Sequence, residues 1–195
     1  DVALNETQIN SIMEEGKVQP VEQVSDLAGY WPLDETETTK MAFDYSGGEN
    51  HGRLLNDPKP IDGVYGKALW FDGADDYVDL GCSARMKSTK DITVAFWVNP
   101  SANQRVWANI MGVHRCDQGW GIYQNNTAVN QYTFSWRSQG RWSGGGFTTL
   151  PADTWSHFAV QKSGNRVRHF LNGKMVQDLE VPEGDIDYLA VDEHL

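Results

Sequence analysis

Apolar and polar residues alternate along residues 92–98. Ile92, Val94, Phe96 and Val98 fall on one parity, and Thr93, Ala95 and Trp97 on the other. That period of two predicts a strand with two distinct faces. Phe158 and Val160 continue the pattern after Trp155. Tyr132, Phe134 and Trp136 alternate with Gln131, Thr133, Ser135 and Arg137, which predicts an aromatic face turned to the core. Ser163-Gly164-Asn165 turns the chain into residues 166–171, and Asn172-Gly173 predicts a two-residue hairpin. Only the amino-terminal stretch has helical spacing. Asn5 is placed to cap it, Gln8 to complete a capping box and Leu4 with Ile9 to form a hydrophobic staple. Ile9, Ile12 and Met13 make the apolar stripe, and Gly16 can end the helix. Many short strands, 19 glycines and no second long helix predict an all-β, two-sheet antiparallel β-sandwich with a short N-terminal helix. The expected organisation is a helical tail at 1–16, a linker at 17–25 and the sandwich at 26–195.

Composition narrows the function classes. A chain of 195 residues can bury a substantial core. Its formal net charge of -11 argues against nucleic acid and anionic membrane surfaces, whose phosphates it would repel. No apolar run approaches the roughly 18 residues of a spanning helix, so no membrane insertion is expected. Cys82 and Cys116 lack zinc-site spacing and are read either as one disulfide or as two buried thiols.

Catalytic patterns are missing. The five histidines form no HExxH phrase, and no GxSxG elbow occurs. Retaining glycan hydrolysis needs two carboxylates about 5 Å apart. The acidic phrase at 180–185 (EVPEGD) is interrupted by Pro182 and Gly184 and does not reproduce the ExDxxE strand pattern of laminarinase-like enzymes. The chain is therefore read as not an enzyme, with a divergent glycanase as the remote alternative.

Two segments carry candidate chemistry. Residues 44–52 are acidic and glycine-rich, and Asp44, Glu49 and Asn50 supply the hard oxygens that calcium prefers. The same residues can also bond their own backbone in a plain turn. Asp72, Asp75, Asp76 and Asp79 read as a solvated hairpin turn. Residues 137–146 (RSQGRWSGGG) place Trp142 in a glycine-rich loop beside Gln139 and Arg141. A flat ring flanked by planar polar groups is what a sugar needs for stacking and hydroxyl hydrogen bonds. Gln139, Arg141 and Trp142 are the candidate ligand-binding residues, with Arg137 in reserve. His114, Asp117, Gln118 and Trp120 form a weaker candidate loop. Trp31, Trp70, Trp97 and Trp155 lie in strand-like phrases and are expected in the core.

Four phrases in fixed order, at 43–52 (FDYSGGENHG), 68–80 (ALWFDGADDYVDL), 92–100 (ITVAFWVNP) and 155–174 (WSHFAVQKSGNRVRHFLNGK), resemble the laminin-G-like branch of the concanavalin A-type jelly rolls. The resemblance covers about residues 27–178. It implies a jelly-roll sandwich that holds glycans or proteins outside the cell, and a structural calcium bound through Asp44 and Asn50. Residues 1–9 (DVALNETQI) resemble the helical tail that closes such a domain, here placed at the front, which implies a tandem or split-domain parent. The resulting expectation is a noncatalytic carbohydrate-recognition or adhesion module, extracellular or at the cell surface. Its expected partners are a glycan or glycoprotein surface and neighbouring domains of its parent. The alternative is a spacer or protein-interaction domain that binds no glycan.

Overall fold

The computed structural model describes residues 4–14, 27–36, 38–113 and 119–188. These fall into two compact units. One runs up to Met86, and the other combines residues 4–13 with the chain from Lys87 onward.

The first unit is small and built of short strands: β1 (Met41–Ala42), β2 (Gly52–Leu55), β3 (Lys59–Asp62), β4 (Lys67–Trp70) and β5 (Tyr77–Asp79). They form an antiparallel sheet in the order β1-β2-β5 and a separate β3-β4 hairpin. Ala42, Leu54 and Leu69 are its core, with Trp31, Leu33 and Val78 packed around them. Trp31 is held by its indole N–H, which donates to the Asn50 carbonyl at 2.9 Å. Gly52 admits Val78 and Leu80 so closely that a Cβ would lie 2.6–2.7 Å from them. Trp70 departs from its expected core position: Leu69 turns inward and leaves Trp70 on the outer face, 51% exposed. In a two-stranded hairpin, period two must put one of two adjacent apolar side chains outside.

The second unit is a two-sheet antiparallel sandwich, where the expected sandwich spans 26–195. Its strands are β6 (Ile92–Val98), β7 (Asn109–Gly112), β8 (Trp120–Gln124), β9 (Gln131–Ser138), β10 (Arg141–Gly144), β11 (Thr148–Thr149), β12 (Ser156–Ser163), β13 (Arg166–Leu171) and β14 (Lys174–Glu180). One sheet runs β10-β9-β8-β7, with β11 also paired to β9, and the other runs β14-β13-β12-β6. All pairings are antiparallel. The expected aromatic face of β9 is inside. Tyr132, Phe134 and Trp136 are buried with Trp120 and Ile122 of β8, and Phe158, Val160 and Val167 are buried in the other sheet. Two polar contacts join the layers. Thr148 Oγ1 and His169 Nδ1 lie 2.8 Å apart, and Lys162 Nζ sits 5.7 Å from the Trp136 ring centroid. Burial lowers the Lys162 pKa against the pull of Asp91 and Asp185. Its ammonium donates to the Gly184 carbonyl at 3.1 Å, which ties the C-terminal segment to the sandwich.

Helix α1 (Glu6–Glu14) has the expected start. Asn5 Oδ1 accepts the Gln8 N–H and Gln8 Oε1 accepts the Asn5 N–H, both at 2.9 Å. Ile9 packs with Ala159 and Phe170, while Leu4 and Ala95 close around them, so the helix covers the outer face of the β12 sheet. This explains why β12 does not read as a half-exposed strand: seven of its eight residues are buried, on both faces. Gln161 is tolerated there because its Oε1 accepts from Arg168 at 2.8 Å and its amide donates to the Leu4 carbonyl. Gly16 lies outside the described residues. The Asn172-Gly173 turn forms as expected between β13 and β14, with φ of 49° and 75°. Among the described residues no helix is long and apolar enough to cross a membrane.

Candidate functional site

Residues 137–146 are expected in a loop; residues 137–144 of that segment instead belong to the β9-β10 hairpin. Gln139 and Gly140, at φ 50° and 75°, make its two-residue turn. Two positive φ values match the right-handed twist of the flanking strands, and Gln139 takes the place of the usual asparagine. Asp187 pins the turn by accepting the Gly140 N–H at 2.9 Å, and its own N–H donates to the Arg137 carbonyl at 2.8 Å.

Register decides which predicted residues meet. Trp142 lies directly opposite Arg137, and directly opposed residues share a face. Both are on the face turned away from Tyr132, Phe134 and Trp136. Trp142 is 44% exposed and Arg137 half-buried. Arg141 lies opposite Ser138 and is one residue from Trp142, so its side chain leaves on the other face. Gln139 sits exposed at the tip. The structure therefore brings Trp142 and Arg137 together, leaves Gln139 beside them and turns Arg141 away.

Two further rings join this face. Gly119, Gly121 and Tyr123 share its parity on the β8 side, where Gly121 pairs with Ser135 and Tyr123 with Thr133. A Cβ at Gly121 would lie 2.5 Å from atoms of the Tyr123 ring, and one at Gly119 would collide with the Tyr188 ring. Both tyrosines thus rest on bare backbone. The Tyr188 hydroxyl donates to the Ser88 carbonyl at 2.8 Å, and burial raises the Tyr123 pKa. Gly144 opposite Ser135 and Gly112 opposite Gly121 keep the middle of the face low. From strand spacing, the Cα atoms of Trp142 and Tyr123, two strands across and four residues along, stand roughly 17 Å apart. Sequence reading missed Tyr123 and Tyr188; the available signal for Tyr123 was Gly121 two residues before it, whereas Tyr188 had no local signal because its glycine, Gly119, lies 69 residues away. In the weaker candidate loop, 114–118 lie outside the described residues, and Trp120 is core, 1% exposed.

The expected calcium residues have other partners. Asp44 Oδ1 accepts N–H groups of Tyr30 and Ser46, and Oδ2 accepts the Ser46 hydroxyl and the Asn50 N–H, all at 2.8–3.0 Å. Burial opposes the charge, but these hydrogen bonds outweigh it and hold the Asp44 pKa below the ordinary range. A carboxylate has about four acceptor positions, and a metal here would have to displace a donor. The Asn50 amide donates to the Ala28 carbonyl at 2.9 Å. Oxygens of Asp72, Asp75 and Asp76 lie within 4.8 Å of one another and could hold a metal ion, although Asp72 Oδ1 accepts the Ala74 N–H at 2.7 Å and Asp76 Oδ2 the Asp72 N–H at 3.0 Å. No free cysteine occurs among the described residues; Cys116 lies outside them.

The family model described as the concanavalin A-like lectin/glucanases superfamily (Laminin_G_3) matches residues 72–190, more than half of the chain, and the chain belongs to that family. Among solved structures, it is similar to domain 4 of AbnA, a GH43 extracellular arabinanase from Geobacillus stearothermophilus, in complex with arabinotriose. The identity is 18%, 84% of each chain is covered and the TM-score is 0.54, a likeness of fold. Looser matches are an S-layer domain-containing protein (residues 221–444) from Clostridium thermocellum ATCC 27405 and the carbohydrate binding module CBM66 from Bacillus subtilis. The first has 21% identity, 85% and 75% coverage of this and that chain, and a TM-score of 0.46. The second has 16% identity, 69% and 82% coverage, and a TM-score of 0.33. Comparison with curated proteins finds no match.

Proposed function

We propose that this chain is a noncatalytic carbohydrate-recognition module of a larger extracellular or cell-surface protein, and that its glycan lies across the β8-β9-β10 face. The observation that carries this reading is the exposed Trp142 ring opposite the Arg137 guanidinium, on a sheet face with two more rings seated on glycine. Trp142 stacks on a sugar, Arg137 donates to hydroxyls or to an acidic sugar group, and Gln139 reaches the ligand from the hairpin tip. Arg141 serves a ligand only at the hairpin's other side.

Glycan-array or affinity-electrophoresis screening tests it. Trp142→Ala is expected to weaken binding about tenfold or more, about 1.4 kcal/mol, while Trp70→Ala in the first unit leaves it unchanged. A full screen without any hit would return the chain to the spacer reading. Turnover of a polysaccharide, abolished by a carboxylate substitution, would make it a glycanase.

For calcium, Asp72, Asp75 and Asp76, whose oxygens lie within 4.8 Å of one another, are the favoured holders of a structural ion, since several converging hard oxygens are what calcium requires. Calcium at about 100 times its dissociation constant should stabilise by about 2.7 kcal/mol and raise Tm by several degrees, with excess EDTA reversing the rise. Asp75→Asn is expected to abolish the shift and Asp44→Asn to retain it. The opposite result would return the ion to Asp44 and Asn50.

A further inference from the structure

The first unit contains a cavity of about 230 Å³ lined by Asp34, Glu35, Thr36, Thr39, Phe43 and Tyr45. Glu35 is only 9% exposed. Its Oε1 accepts the Phe43 N–H at 2.7 Å, which fixes the carboxyl group, but its buried Oε2 has no hydrogen-bond partner among the described residues. A buried carboxylate oxygen without a donor is costly, and such groups are satisfied in nearly all native proteins. The missing partner is a donor, and the lining shows which kind. The lining holds two carboxylates, three hydroxyls and two rings, and none of its residues is basic. The nearby lysines are engaged elsewhere, Lys40 with Asp57 at 2.8 Å and Lys67 with Asp62 at 2.6 Å. Asp34 is held in place by accepting the Lys67 N–H. At the rim, Phe43 is 39% and Tyr45 66% exposed, so both offer ring surface to a ligand.

Carboxylates beside open aromatic rings, with no basic side chain in the lining, select a positively charged nitrogen. The carboxylates pair with its N–H groups and the rings with its charge. We propose that this pocket is a second ligand site, distinct from the Trp142 face, and that it takes the ammonium group of an amino sugar in a deacetylated glycan. The choice of an amino sugar over other amines rests on the carbohydrate reading above, and the net charge of -11 suits a polycationic glycan.

Calorimetric titration of the full chain with glucosamine oligomers and with their N-acetylated counterparts tests the assignment. The deacetylated oligomers should bind at least tenfold more tightly, and Glu35→Gln and Tyr45→Ala should each remove most of that preference. Because Glu35→Gln alters a buried group, Tyr45→Ala, at an exposed ring, keeps the test open if that variant fails to fold. Glu183→Gln, which removes one exposed charge in the other unit, should leave the preference intact. Equal binding of both oligomers would overturn the proposal, as would an unchanged preference in Tyr45→Ala. A preference lost equally in Glu183→Gln would overturn it too, by revealing general charge attraction. Tight binding of oligolysine without binding of glucosamine oligomers would overturn the sugar assignment. Neutral-glycan binding that depends on Trp142 is read separately, so either site can fail alone.

Discussion

Phe134→Ala is expected to cost about 3–5 kcal/mol of stability, the range for deleting a buried aromatic ring. Phe134 is wholly buried between Trp120 and Trp136, with ring centroids at 6.0 and 5.8 Å and interplanar angles of 29° and 24°. Each such stack adds roughly 0.5–1.5 kcal/mol beyond area burial. Relaxation is limited because both tryptophans are held in the β8-β9 ladder, where Trp120 faces Trp136 and Ile122 faces Phe134. For a chain of this size the loss should lower Tm by roughly 10 °C in a calorimetric scan. Phe147→Ala, at a ring 44% exposed, is the control and should stay within about 1 kcal/mol of the parent. Equal effects in the two variants would show that the stacked layer is not the core of the sandwich.

Stability should also fall steeply with mild acid. His157 and His169 are buried, and burial pushes both to about 4 from the ordinary 6.5. The folded chain therefore binds fewer protons than the unfolded chain between these values. Their neutral forms are compatible with full stability above about pH 6.5, and stability is lost as pH falls toward 4. Each shift corresponds to roughly 3 kcal/mol at its limit. The physical cause is local. His157 Nδ1 and His169 Nε2 have no hydrogen-bond partner among the described residues to welcome a proton, and the rings lie edge-on to Trp97 and Phe158 at 5.4 and 5.5 Å. Urea unfolding at pH 7, 5.5 and 4.5 measures the slope, which His157→Gln should flatten. A midpoint that stays constant across that range would refute the buried-neutral assignment. Asp44 adds a separate loss at lower pH, because its folded pKa is depressed and its hydrogen bonds weaken once it is protonated.

Much of the fold was legible because its signals are local. The parity of Tyr132, Phe134 and Trp136 named a buried face, the Asn5-Gln8 box named a helix start, and Asn172-Gly173 named a hairpin. Each depends on residues within a few positions, where backbone sterics and capping chemistry suffice. The candidate site was legible only in part. Trp142 could be singled out, but which side chains surround it depends on strand register. One step of register separates Arg137, beside the ring, from Arg141, on the opposite face. Tyr123 and Tyr188 reach the same face from 19 residues before Trp142 and 46 after it, through pairings no local pattern encodes.

By itself, the sequence determined the strand periodicity, the helix cap, the turns and the acidic charge, since covalent neighbours and side-chain chemistry set these directly. Only the tertiary structure decided that β12 is covered on both faces, that Trp70 lies outside and that Glu35 is buried with one oxygen unpaired among the described residues. Burial and hydrogen-bond satisfaction are properties of packed surfaces, and they exist only once distant segments have come together.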